Sequence, residues 1–287
     1  MKIEEKVLAC VDQSHFADHV TDYAAWAARR IEAPLELLHV IDRHPEIATN
    51  TDHSGAIGLG AQTQLLQDLS EQDESRSKEA RERGRLFLNR LRERAMTAGV
   101  AEPDMRQRLG EIESTLTEQQ DDVCLFVLGR RGRSAEATQR DLGRNVERVV
   151  RALRKPILAV TDNFTEPRRA LFAFDGGSIT RRGVQTIAAS RMFRDMPIQL
   201  LMSGKENKDS GKQLEWAGRT LTEAGLDATT TLIPGDAERI IGSQVMDNGI
   251  DILIMGAYSH SPLRTLLLGS KTSDLLRSAR VPTLLLR

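Results

Sequence analysis

Apolar runs alternate with amphipathic stretches along most of the chain. Residues 7–11 form a continuous apolar run, typical of a parallel strand covered on both faces. Apolar side chains then recur at helical spacing over 16–31, which predicts a helix capped by Ser14. Residues 35–41 predict the next strand. The chain therefore begins as a strand, helix and strand unit of the kind that builds parallel sheets.

This pattern occurs twice. Asp12 lies 22 positions before Pro34, and Asp175 lies 22 positions before Pro197, so the two stretches are offset by 163 (175 minus 12). Nearer the end of each half, the strands at 156–160 and 282–286 are offset by 126 (282 minus 156). Such agreement over long stretches indicates an internal duplication.

The helix before each of these last strands supports the duplication. Four paired positions of this helix follow the spacing i, i+3, i+4, i+7 in both halves, so the same helix face is predicted to be buried twice. The paired residues are Val146 and Thr272, Val149 and Leu275, Val150 and Leu276, and Leu153 and Ala279.

The two offsets differ by about 37 positions (163 minus 126), which predicts an insertion in the first half at about 43–78. We expect a loop at 55–60, a short helix at 63–69 and a long charged helix at about 74–98 that ends at Gly99. Its counterpart at 212–224 ends at Gly225.

The order of elements predicts an α/β fold of two tandem doubly wound, Rossmann-like domains, each a parallel five-stranded sheet. The predicted domains are residues 1–161, which include the insertion, and residues 170–287, with a linker at 162–169.

Composition narrows the class of function. Forty Lys and Arg against 41 Asp and Glu give a net charge of −1, which argues against a nucleic-acid binder. No apolar run is long enough to span a membrane, and no signal segment opens the chain, which predicts a cytoplasmic protein. Cys10 and Cys124 lie in predicted strands and are expected to be buried thiols in a reducing compartment.

A loop with glycines at set spacings follows one strand in each half. Unpaired backbone N–H groups at the start of the next helix suit an anion such as phosphate. The alternative is a tight turn that needs positive φ. The loop residues are Gly129, Gly132 and Gly143 in the first half and Gly256, Ser259, Gly269 and Ser270 in the second.

These residues resemble the universal stress protein family in its tandem form. The family has an Asp at the end of its first strand, here Asp12 and Asp175, and a loop of pattern Gly-x2-Gly-x9-Gly-Ser/Thr. The resemblance covers both halves almost end to end. Single-domain members of the family usually pair through their last strands, so the resemblance implies that the strands at 156–160 and 282–286 meet within one chain as an intramolecular pseudo-dimer. A further homodimer of the whole chain stays open. In the second half Ser259 replaces a glycine. In the first half one extra residue precedes Gly143, and Arg144 replaces the small hydroxyl residue.

The resemblance implies ATP or another adenine nucleotide, with or without Mg²⁺, bound in at least one half. Adenine would lie against the strand-ending Asp and the end of the second strand, and the loop would hold ribose and phosphates. This edge is also where open α/β sheets bind ligands. The implied residues are Asp175, Ser203, Gly256, Ser259, Gly269 and Ser270, and Asp12, Val40, Gly129, Gly132 and Gly143.

Several of these residues have a second interpretation. Asp12 and Asp175 could equally be helix-initiating carboxylates. Arg144 could pair with a phosphate or fill the pocket and exclude it. His15 and His19 have a zinc-ligand spacing, but a solvated helix start is favoured. The arginines at 130–133 could grip phosphate, but a solvated loop is favoured.

No catalytic constellation, Walker loop or metal-ligand set stands out, so we predict no catalytic or metal residues. The leading hypothesis is a non-enzymatic stress-response protein that responds to nucleotide and acts on an unidentified regulatory protein. A nucleotide-free interaction scaffold with degraded phosphate loops is the alternative. A nucleotide-hydrolysing relative of ligases comes third.

Overall fold

The computed structural model describes residues 5–41, 61–130, 144–204, 208–257 and 279–287. Its strands are Lys6–Cys10 (β1), Leu35–Ile41 (β2), Asp104–Leu109 (β3), Val123–Gly129 (β4), Ile157–Val160 (β5), Ala170–Ala173 (β6), Ile198–Gly204 (β7), Ala228–Pro234 (β8), Ile252–Gly256 (β9) and Thr283–Leu286 (β10). Its α-helices are Phe16–Ile31 (α1), Ala61–Thr97 (α2), Ile112–Gln119 (α3), Arg144–Ala152 (α4), Ser178–Ala189 (α5), Ser210–Glu223 (α6) and Ala237–Asp247 (α7). None of these helices is long and apolar enough to cross a membrane.

All ten strands form one sheet in the order β3-β2-β1-β4-β5-β10-β9-β6-β7-β8. Each half contributes five parallel strands in the doubly wound order, so the predicted fold class is confirmed. The halves join where β5 pairs with β10 antiparallel, which makes the whole sheet mixed.

The central pairing follows a pseudo-two-fold axis. Leu158 lies opposite Leu284, which is its own equivalent under the offset of 126 (284 minus 158). Ile157 lies opposite Leu285, and Ala159 lies opposite Thr283, so each pair mirrors the other. A two-fold interface requires this self-complementary register. The prediction that the terminal strands meet within one chain is confirmed.

Helices cover both faces of the sheet, as a parallel sheet requires. One core lies under α1, α2, α5 and α6, and the other lies under α3, α4 and α7. Both cores contain side chains from both halves, so the hydrophobic packing is continuous across the central strands.

The insertion differs from its prediction. The structure has one 37-residue helix, α2, so the prediction of separate helices at 63–69 and about 74–98 is wrong. No Gly or Pro occurs between Ala61 and Gly84, and most of the polar residues in between are Gln, Glu, Lys or Arg, which are good helix formers. Leu88, Leu91 and Ala95 are buried, whereas Ala80 and Phe87 are half-buried. The predicted loop at 55–60 lies outside the described residues.

Two glycines end helices as predicted. Gly99 has φ +93 after α2, and Gly225 has φ +82 after α6. These left-handed values favour glycine because it has no Cβ to clash with the preceding turn.

Candidate functional site

The duplicated strands end in the same register. Leu38, Cys10 and Leu128 form one row across β2, β1 and β4. Their equivalents Leu201, Ala173 and Met255 form the matching row across β7, β6 and β9. The row spans the point where the strand order reverses, which is where open α/β sheets bind ligands.

The sequence-predicted residues lie just beyond these rows. Asp175 and Ser203 come two residues after the paired Ala173 and Leu201, and Gly256 comes one after Met255. Asp12, Val40 and Gly129 occupy the same places in the first half. The other loop positions, Gly132, Gly143, Ser259, Gly269 and Ser270, lie outside the described residues.

Asp175 initiates a turn and keeps one oxygen for another partner. Its Oδ1 accepts from the backbone N–H of Gly177 at 2.9 Å and from the hydroxyl of Thr180 at 2.5 Å. No hydrogen bond reaches Oδ2 from the described part of the chain, and the side chain is exposed. The carboxylate is therefore both helix-initiating and available to a ligand donor.

Thr180 ties the ends of two strands together, and sequence reasoning missed it. It is 3% exposed. Its hydroxyl bonds Asp175, and its methyl packs on Gly256, where an added Cβ would lie 3.1 Å from that methyl carbon. A side chain at Gly256 would therefore need Thr180 to shift by a few tenths of an ångström. A hydroxyl residue five positions after a strand-ending Asp, on the inner face of a helix, was the available signal.

Asp12 is held differently. Its Oδ1 accepts from the hydroxyl of Ser14 at 2.5 Å and from the backbone N–H of Ser14 at 3.2 Å. The Ser14 hydroxyl in turn accepts from the N–H of Phe16, the first residue of α1. Ser14 therefore satisfies a helix-start N–H, as predicted, and orients Asp12 as well.

Arg130 is not the solvated loop residue that was favoured. It is 7% exposed, and its guanidinium donates to the main-chain carbonyls of Ala279 and Val281 in the other half. A contact between residues about 150 positions apart leaves no pattern in a single sequence.

The histidines of the first half differ in how deeply they are buried. His15 is exposed and His19 is half-buried at the start of α1. His39, in β2, is buried, and its Nδ1 lies 2.9 Å from the Val11 carbonyl, with its ring against Phe87. Within the described ranges, no group of three or more His, Cys, Asp or Glu side chains could hold a metal ion.

Both cysteines are free thiols, but only one is buried as expected. Cys10 is buried, and Cys124, the second residue of β4, is half-buried. Burial raises the pKa of both thiols, that of Cys124 to about 11. Neither is therefore an activated nucleophile at neutral pH.

Comparisons with known proteins agree with this architecture. The model of the universal stress protein family matches twice, at residues 4–161 and 168–287. A universal stress protein of a Synechocystis strain is 32% identical over 286 residues, which are 99% of this chain and 100% of that protein. A crystal structure of a universal stress protein from Archaeoglobus fulgidus has a TM-score of 0.67 at 14% identity, covering 98% of this chain and 95% of that one.

Proposed function

The chain belongs to the universal stress protein family, and we propose that it is a cytoplasmic stress-response regulator whose second half binds an adenine nucleotide. ATP, with or without Mg²⁺, is the proposed ligand. Binding, rather than chemical turnover, is the proposed activity. The observation that carries the proposal is Asp175, an exposed residue at the carboxyl edge of the sheet whose Oδ2 accepts no hydrogen bond from the described residues.

The surroundings of Asp175 support a role in recognition. Because Gly177 and Thr180 both donate to Oδ1, the carboxylate is fixed in orientation before any ligand arrives. A pre-oriented carboxylate accepts strongly from a donor such as the adenine amino group. Ser203 is the penultimate residue of β7, two residues beyond the shared row, and its backbone would face the other edge of the base.

The proposal favours the second half because of what begins the helix after each loop. In the first half α4 begins at Arg144, a residue type with a long side chain, at the helix start where a phosphate would approach the N–H groups. The matching residues of the second half, Gly269 and Ser270, are small. Small residues leave room for phosphates.

A nucleotide-free scaffold is the second candidate, and one observation favours it for the first half. The residue after Gly129 is Arg130, whose side chain is committed to the other half and is not free to reach a ligand. On this view the first half is structural, and the regulatory partner binds an outer surface.

The direct test is native mass spectrometry of the purified full chain before any nucleotide is added, followed by calorimetric titration with ATP. We expect one bound nucleotide per chain. Asp175→Asn should weaken ATP binding about tenfold, or about 1.4 kcal/mol. The side-chain amide of Asn would place an N–H donor opposite the N–H donor of the ligand, so no hydrogen bond could form there. Asp12→Asn is the matched control and should leave affinity within about twofold.

Two results would contradict the proposal. Absence of ATP binding by the folded wild-type chain would leave the scaffold as the function. Equal weakening by Asp12→Asn and Asp175→Asn would show that the halves do not differ as proposed.

A further inference from the structure

Two arginines cross the boundary between the halves at the ends of central strands. Arg130 directly follows β4, and its guanidinium donates to the carbonyls of Ala279 and Val281, just before β10. Its backbone N–H also donates to Val160, the last residue of β5, at 3.1 Å. A buried guanidinium is tolerated only with paired donors, so these bonds hold the two segments together.

Arg287 connects the halves in the opposite direction, from the second half to the first. It directly follows β10, and its Nε and Nη2 donate to the carbonyls of Leu153 and Arg151 at 2.8 and 2.9 Å. Those carbonyls close the C-terminal end of α4, where the partial negative charge of a helix favours a cation. Its Nη1 also lies 3.4 Å from the carbonyl of Ala257.

The third contact connects the second half's candidate site to the first half. Ala257 follows Gly256, where the second glycine loop begins, and its N–H bonds the carbonyl of Leu286 at 2.9 Å. Arg287 thus bonds the first residue of that loop and the end of α4 with one planar group. A guanidinium has a rigid set of donors, so movement at Ala257 changes the bonds to α4.

We infer that Arg287, with Arg130 as its counterpart, couples the two strand-end regions, so that nucleotide bound in the second half changes the local stability of α4 in the first. This inference rests on the proposed function. Coupling through shared bonds is reciprocal, and values of about 5-fold or more are typical of linked sites.

Hydrogen exchange of the full chain, followed by mass spectrometry with and without saturating ATP, tests the coupling. ATP should slow exchange in peptides from 170–204, around the site itself. It should also change exchange about 5-fold or more in peptides covering 147–155. In Arg287→Gln the second change should vanish while the first persists. Arg287→Lys keeps the charge but not the planar donor set, so it should retain only part of the change at 147–155. This variant replaces Arg287→Gln in the experiment if the glutamine variant does not fold.

Arg30 provides a matched control across the same boundary. From α1 it donates to the carbonyls of Met192, at 3.0 Å, and Arg194, without touching a residue at either candidate site. Arg30→Gln should leave the response of α4 to ATP unchanged.

The outcomes separate the two claims. Protection at 170–204 with no response at 147–155 in the wild type overturns the coupling and leaves the proposed function intact. A response at 147–155 that survives in Arg287→Gln and Arg287→Lys overturns the role of Arg287. No protection at 170–204 contradicts the proposed function and, with it, this inference.

Discussion

The first pair of helices in each half is joined by a different kind of contact. In the first half an ion pair joins α1 to α2. In the second half the residues at the equivalent positions form a cation–π contact between α5 and α6. Asp18 and Arg90 approach to 2.7 Å. Their equivalents under the offsets of 163 and 126 are Arg181 and Trp216, with the guanidinium 5.5 Å from the ring centroid. The two halves therefore share a contact between equivalent helices, but the contact is an ion pair in one half and a cation–π interaction in the other.

The strand ends show the same kind of divergence. Each strand-ending Asp accepts from one side-chain hydroxyl, but the hydroxyl comes from Ser14 in the loop of one half and from Thr180 in the helix of the other. Residue 17, in the position of Thr180, is Ala. Register and hydrophobic packing are shared by the halves, while the groups that face a ligand are not. Function therefore depends on these side chains and not on the fold alone.

The largest expected effect tests whether the halves are equivalent at their junction. Leu158→Ala and Leu284→Ala each remove a buried side chain on the pseudo-two-fold axis. We expect each to lower the free energy of unfolding by about 2–5 kcal/mol, because each leaves a cavity in the core. Equilibrium urea denaturation measures both.

Met246→Ala is the control, because that side chain is 57% exposed, and it should change stability by no more than about 0.5 kcal/mol. Costs for the two leucines that differ by more than about 2 kcal/mol would show that the two central strands are not equivalent.

A second prediction concerns which half binds. Gly269→Val should weaken ATP binding about tenfold or more, or 1.4 kcal/mol, because the side chain obstructs backbone approach and disfavours positive φ. Gly143→Val should leave binding nearly unchanged. Calorimetric titration compares the two variants after circular dichroism shows each to be folded. Loss of binding in Gly143→Val, with binding retained in Gly269→Val, would assign the site to the first half.

The smallest expected effect is a difference between the two helix contacts in how the stability of the protein depends on pH. Partial burial raises the pKa of Asp18, but the hydrogen bond and charge of Arg90 and the charge of Arg94 outweigh it, so the pKa lies below its usual range. A lowered pKa adds stability that is present above about pH 4 and is lost as the pH falls further. No acid-titrating group takes part in the contact between Arg181 and Trp216.

Asp18→Asn should therefore cost no more than about 1 kcal/mol at pH 7, since the pair is largely solvated, and should reduce the loss of stability between pH 4 and 2. Trp216→Leu should leave the slope of stability against pH in that range unchanged. Thermal denaturation across the pH series measures both. A steeper acid loss in Asp18→Asn than in the wild type would refute the assignment.

The hydrophobic periods, the offsets of 163 and 126, and the helix-ending Gly99 and Gly225 were enough to predict a doubly wound parallel sheet in each half. These features depend on local backbone preference and on the alternation of buried and exposed positions, which a single sequence records directly. The same pattern places Asp12 and Asp175 at the edge of the sheet where the strands end, because the C-terminal ends of parallel strands lie along one edge.

Tertiary structure alone decided which side chains meet across the dyad and between helices. Arg130 bonds carbonyls some 150 residues away, Arg287 bonds the end of α4, and Thr180 bridges Asp175 and Gly256. The partners of these bonds are main-chain carbonyls or positions in other elements, and any residue type supplies a carbonyl. Composition and spacing carry no mark of the two arginine contacts, since these exist only once β5 and β10 bring the two halves into one sheet.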